Sequence, residues 1–218
     1  MQKKILTILG DFYHSHDLAL TAIEKAAEAL EKATGTKIEV VDASIDNIEK
    51  SLNESFDLVV LYKENRVNPN DEIVFNWMTS EIEEKVTEFV SKGGSWFAWH
   101  SGLVFYDKND AYVDMVKGYF LNHPTERNVK YAPVANVNAL GPKETFEVLD
   151  EHYFVKAMPL ENSLFLTAES DEGECEAGWA HQYGQGRVCA LTPTHGEGMA
   201  NQEMLDLLTQ CLKWCLKL

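Results

Sequence analysis

The sequence contains no cluster of lysine or arginine. Its 218 residues carry 19 basic side chains against 35 acidic ones, a formal net charge of −16. A field of that sign repels phosphate backbones and anionic lipid surfaces. It argues against nucleic-acid and membrane partners and favours a neutral or cationic small molecule, although acidity also serves solubility alone. No Cys-x-x-Cys pair occurs among the four cysteines, Cys175, Cys189, Cys211 and Cys215. That removes the paired-thiol metal and redox motifs and makes a reducing cytoplasm the simplest compartment. No apolar run approaches the roughly 20 residues that cross a bilayer. The opening "MQKKILTILG" enters a short strand without a signal-type cleavage site. Internal repeats, low-complexity tracts and Pro/Ser-rich linkers are also missing. The expectation is a soluble cytoplasmic protein, one domain over 1–218.

What is present alternates between strand and helix patterns. Short continuous apolar runs over 4–9, 37–41, 56–62 and 95–99 read as buried strands. Between them, 17–35, 45–52 and 79–94 have helical spacing, with Asp17 expected as one N-cap, Ser80 and Glu83 as a capping box, and Gly35 and the Gly93–Gly94 pair as stops. A helix over 109–120 follows. The second half is richer in strands, over 128–137, 145–149, 163–169, 176–183 and 187–192, with "YGQGR" as a hairpin turn. Residues 201–217 close as a helix, with Cys211 and Cys215 on its buried face. The alternation predicts an α/β fold: three layers around a mostly parallel, doubly wound, flavodoxin-like sheet. Ligands of such sheets bind at the carboxyl ends of the strands. The loops Asp11–His16, Tyr62–Asn65 and His100–Tyr106 are therefore expected to converge.

That placement draws attention to the histidines. Of seven, His14, His100 and His195 stand just past strand ends. Imidazole is the side chain best suited to proton transfer near neutral pH, and the commonest metal ligand. His100 and His195 are the strongest candidates; His16, His152 and His181 read as surface or satisfied core residues. Asp150 and Glu151 form an adjacent carboxylate pair that serves either as a solvated turn or to orient an imidazole. Arg187 anchors a carboxylate or serves the hairpin. Several chemistries lack their motif. Ser101 has Trp99 and Leu103 where a G-x-S-x-G elbow has glycines. No H-E-x-x-H and no phosphate-binding glycine loop occurs. The cofactor stays open: a divalent metal such as zinc is an alternative that no signature signals.

The runs "GGSWFAWHSG", "KGYFLNHP", "DEHYF" and "GWAHQYGQGRVCALTPTHG" resemble, in order and spacing, the ThuA-like family associated with trehalose utilisation. The resemblance spans nearly the whole chain. It implies a fold similar to class I glutamine amidotransferases. The family's "GLHS" or "GLHA" stretch stands here as "AWHSG", with Ala98 for glycine and Trp99 for leucine, which reshapes the local pocket. Amidotransferases of this class present a cysteine at the fourth-strand elbow. This chain has His100 and Ser101 there, so no glutaminase activity is expected.

The resemblance implies work on a sugar, of the trehalose or keto-sugar type. On that reading His100 and His195 are acid/base groups, Glu151 orients one of them, and Asp11, His14, Ser101, His123 and Arg187 bind substrate. Two alternatives stay open: a non-catalytic module that binds a metabolite or partner, and a metal-dependent hydrolase of another substrate. Exposed aromatics are compatible with a homo-oligomer.

Overall fold

A computed structural model describes residues 2–136 and 138–218. Its elements run β1 (Gln2–Leu9), α1 (His16–Thr34), β2 (Lys37–Asp42), α2 (Ile48–Leu52), β3 (Leu58–Tyr62), α3 (Ser80–Ser91), β4 (Ser95–Trp99), α4 (Ala111–Val116), β5 (Gly118–Asn122), β6 (Arg127–Pro133), β7 (Phe146–Asp150), β8 (Phe154–Ala157), β9 (Leu164–Ser170), β10 (Gly173–Tyr183), β11 (Gly186–Leu191) and α5 (Gln202–Cys215). Position 137, the end of the strand expected over 128–137, lies outside the described residues.

The main sheet has nine strands in the order β2-β1-β3-β4-β11-β10-β9-β6-β7. Strands β2, β1, β3, β4 and β11 pair parallel. From β11 onward every pairing is antiparallel. The expectation of a mostly parallel sheet therefore describes one half of a mixed one. The cause is connection length. Parallel neighbours need a crossover of a dozen residues or more. Only Gly184–Gln185 separates β10 from β11, and only Asp171–Glu172 separates β9 from β10, so both links close as hairpins.

Alternating side chains send the parallel strands' two faces into separate cores. Ile5, Val60, Phe97 and Cys189 pack with α1 and α5, including Cys211 and Cys215. Leu6, Val59, Trp96 and Val188 pack with Val86 and Val90 of α3 and Tyr112 of α4 on the opposite face. These are the three expected layers.

Local differences have local causes. Ser15, not Asp17, caps α1, its hydroxyl accepting from Leu18 N, and Gly35 ends the helix at φ 70°. Thr79 caps α3, while Glu83 accepts from the Tyr112 backbone N–H. The helix expected over 109–120 stops at Val116 because Trp179 sits over the next turn. A Cβ on Gly118 would stand 2.4 Å from the Trp179 ring, and the indole donates to the Val116 carbonyl at 2.7 Å. Lys117 takes φ 61°, and the chain leaves as β5, which pairs with β8 in a two-stranded sheet.

His181 of β10 is buried against this turn. Its Nε2 lies 2.9 Å from the Met115 carbonyl, so Nε2 carries the proton, and buried Nδ1 has no partner among the described residues. Burial holds its pKa below the ordinary value, with Lys117 acting in the same direction and Asp114 against it. The unfolded chain therefore takes up a proton that the folded chain refuses, and stability falls as pH drops below about 6.5. His181→Gln keeps a donor for Met115 and cannot titrate. Denaturant titrations at pH 7 and pH 5 should show a smaller loss of unfolding free energy in the variant than in the parent.

Candidate active site

The run "FAWHSG" places a histidine in a conformation that its own backbone disfavours. His100 follows β4 at φ 47°, in the left-handed region that costs a non-glycine residue roughly 1–3 kcal/mol. Gly102, two residues on, lies so close to β3 that a Cβ would meet the Leu61 carbonyl at 2.4 Å. The chain thus turns sharply at the carboxyl edge of the sheet and presses His100 inward, where it is fully buried. Its Nδ1 lies 2.6 Å from the carbonyl of Thr192, the residue after β11. A carbonyl only accepts, so Nδ1 carries the proton and Nε2 a lone pair.

The first three expected loops do converge here. Gly10 N–H donates to the Tyr62 carbonyl, Glu64 N–H to Asp11 Oδ2, and Asn65 N–H to the Val104 carbonyl. His14 comes from the first loop. Its Nδ1 is held by Asp11 Oδ1 at 2.5 Å, and its Nε2 lies 3.1 Å from the Tyr153 hydroxyl. The ring centroid is 5.1 Å from that of His100 and 5.2 Å from that of His195.

The carboxylate at the centre arrives from the other half of the sheet. β7 is the last strand in the order, yet Asp150 at its end accepts from the His195 backbone N–H at 2.8 Å. The antiparallel half therefore curls back over the carboxyl edge of the parallel half. Glu151, the next residue, then stands among three imidazoles. Its Oε2 is 3.7 Å from His100 Nε2 and 3.9 Å from His123 Nε2. Its Oε1 is 3.3 Å from His195 Nδ1, within ion-pair range but not aligned as a hydrogen bond. Tyr153 stacks on His100 at 3.8 Å between centroids and on His123 at 5.5 Å. The pairing of β5 with β8 brings this wall in, since Asn122 lies opposite Phe154.

Burial and neighbours separate the titrations. Burial pushes His100 down to about 4, against the pull of Glu151, so the ring is neutral at neutral pH. Burial raises Glu151, but the proximity of the His100 and His195 rings outweighs it and holds the carboxyl low. His195 is raised by its contact with Glu151. Asp11 is likewise opposed by burial, yet its bond to His14 and the backbone donors hold it at about 2. An anionic carboxylate, a neutral imidazole with its lone pair turned inward, and an imidazole that favours its proton thus share one centre. That combination is suited to moving a proton between a base and an acid.

Of the expected site residues, the structure brings together His14, Asp11, His100, Glu151, His195 and His123. His123 sits at the mouth, its side chain 36% exposed. Ser101 is fully buried at the same turn, its Oγ without a partner among the described residues. Arg187 is not part of the cluster. β11 runs parallel to β4, and Arg187 pairs with Ser95 at the amino edge, five residues from Thr192 and therefore about 16 Å away along the strand. There its guanidinium lies over Trp214 and donates to the Trp214 carbonyl. His16 bridges Asp17 and Asp42 on the surface, and His152 bonds Ser170. Both lie outside the cluster. Sequence reasoning missed Tyr153 and the scaffolding role of Asp150. The spacing in "LDEHYF" was their one available signal, because the partners come from distant strands.

Asp150 is that scaffold. Oδ2 accepts from the Tyr131 hydroxyl at 2.6 Å and Oδ1 from the Glu151 and His195 N–H groups. Burial raises its pKa to about 7 despite these donors. Asp150→Ala leaves the buried Tyr131 hydroxyl and two part-buried backbone donors unmatched, at about 1–3 kcal/mol each where burial is complete. Urea unfolding should show a loss of roughly 3 kcal/mol or more. A loss within about 0.5 kcal/mol, the range of ordinary surface substitutions, would mean that this carboxyl does not hold the two halves together.

The family model ThuA, described as trehalose utilisation, matches residues 4–215. A ThuA-like protein of Parabacteroides merdae superposes with a TM-score of 0.73 at 14% identity, over 99% of this chain and 90% of that one. A Salmonella typhimurium protein described as cytoplasmic gives 0.60 at 15% identity, over 98% and 97%. The same fold recurs in a GH42 β-galactosidase, Gan42B, at a TM-score of 0.62 and 12% identity, covering 100% of this chain but 30% of that one. No curated protein matches the chain. Among the described residues, no helix is long and apolar enough to cross a membrane.

Proposed function

The chain belongs to the ThuA family of trehalose utilisation, and from that premise we propose that it processes a sugar of the trehalose or keto-sugar type by imidazole–carboxylate acid–base chemistry. The observation that carries this reading is the buried His100 ring. Thr192 fixes its proton on Nδ1, so its Nε2 lone pair faces the centre occupied by Glu151. A base held in one tautomer, beside a carboxylate and a second imidazole, needs no rearrangement at the moment of proton transfer.

On a keto-glycoside the step is as follows. His100 Nε2 takes the proton from the carbon beside the carbonyl, and the electron pair moves onto the carbonyl oxygen. The enolate then collapses and expels the glycosidic oxygen, which takes a proton from His195. Glu151 holds the two imidazoles in register. Asp11, His14, Ser101 and His123 offer polar atoms to hydroxyl groups. At the mouth, Phe120 lies 4.6 Å from Tyr153 and 5.8 Å from His123 between ring centroids, an apolar face for a sugar ring. A reducing cytoplasm suits the four free thiols.

The test is glucose release from 3-keto-trehalose, with trehalose alongside and His100→Asn as the variant. Asparagine tolerates φ > 0 and offers an amide donor to the Thr192 carbonyl, so the turn is preserved while the base is removed. Turnover should fall by about 10²–10⁴-fold with the circular dichroism unchanged. Unchanged turnover would sink the assignment of the base. Sugar binding without turnover in the parent would instead make the protein a binding module.

A further inference from the structure

The cluster contains a contradiction in charge that a sugar alone does not resolve. His100 Nε2 presents a lone pair, because Thr192 fixes the proton on Nδ1. That lone pair faces the Glu151 carboxylate at 3.7 Å with no hydrogen-bond partner among the described residues, in a ring with no exposed surface. His195 Nδ1, also buried and without a hydrogen-bond partner among the described residues, faces the other oxygen of the same carboxylate. Asp11 occupies His14 Nδ1, so Nε2 is the atom His14 turns toward the cluster. Nitrogen and oxygen atoms able to ligate a cation, from several chain segments, thus converge on one point.

We propose that His14, Glu151 and His195 form a binding site for a divalent transition-metal ion, with His100 Nε2 beside it. One ligand atom from each of the three residues lies within 4.8 Å of the others, a separation that small side-chain rotations close to coordination distance. Two imidazoles and one carboxylate with a position left open is a donor set that suits catalytic zinc and related ions. The surroundings fit. Asp11 on Nδ1 of His14 is the outer carboxylate that orients a ligating imidazole. Asp150 holds the His195 backbone N–H, and so fixes where that ligand starts. The ion takes the place of the Tyr153 hydrogen bond on His14 Nε2 and of the proton that Glu151 favours on His195.

The inference rests on the reading of this cluster as the functional site. It changes two things in that reading: a metal ion held here would supply the electrophile that polarises the carbonyl oxygen, and with His195 bound to it the leaving glycosidic oxygen would take back the proton that His100 Nε2 removed from carbon.

The experiment uses the purified chain stripped with a chelator and titrated with Zn²⁺ or Co²⁺ alone, followed by calorimetry and, for cobalt, by its visible absorption. The expected result is one ion per chain. Asp11→Asn should weaken binding by about 10- to 100-fold, and Glu151→Gln or His195→Ala by more. His16→Ala, which removes the exposed histidine between Asp17 and Asp42, should leave binding unchanged and so separate surface capture from the cluster. Melting of each variant without metal checks that it folds. Loss of binding in His16→Ala, binding indifferent to Glu151→Gln and His195→Ala, or no stoichiometric binding at all would overturn the proposal. Stoichiometric, cluster-dependent metal binding without sugar turnover supports this site and defeats the proposed function. Full keto-sugar turnover by the stripped protein supports the proposed function and defeats the metal.

Discussion

One hydrogen bond organises the centre of this molecule: His100 Nδ1 to the Thr192 carbonyl, 2.6 Å long and fully buried. It joins the turn after β4 to the turn after β11. It compensates a histidine at φ 47° and decides which ring nitrogen carries the proton. Without it His100 could present either face to Glu151, and the cluster would have no defined base. Tyr153, stacked at 3.8 Å, blocks the ring from swinging away.

The second constraint is the curl of the sheet. A parallel sheet with helices on both faces makes a crevice at its carboxyl edge but does not close it. Here the antiparallel half supplies the missing wall. Asp150 ties the end of β7 to His195 and to Tyr131, and Glu151 enters as its neighbour. The centre is therefore shared by segments far apart in sequence, from the loop at His14 to the turn at His195. Its integrity depends on the junction between the two halves.

The amino-terminal half of the fold was legible because its signals are local. Apolar runs of five or six residues, helical spacing and glycine stops mark β1 to β4 and the helices between them. The convergence of the first loops followed from strand direction alone, and so did the strand-end position of His14, His100 and His195. What stayed hidden depends on distant partners. The length of α4 is set by Trp179, some sixty residues further on, and only the ring's position over Gly118 shows it. The antiparallel half was legible as strands but not as a lid, since curl is not written in a periodicity. Tyr153 and Asp150 acquire their roles only once β7 and β8 are placed. Arg187 misled because a strand's first residue looks the same whichever edge of the sheet it occupies.

The site stands on the tautomer of His100, which nitrogen-15 NMR of the labelled imidazole rings reads without an intermediary. At neutral pH the expected ring is neutral, with the proton on Nδ1 and Nε2 unprotonated, and it stays so as the solution is acidified toward the depressed pKa of about 4. A proton on Nε2, or an imidazolium already formed near pH 6.5, would contradict it. In either case the inward lone pair on which the rest of the site is built would not exist.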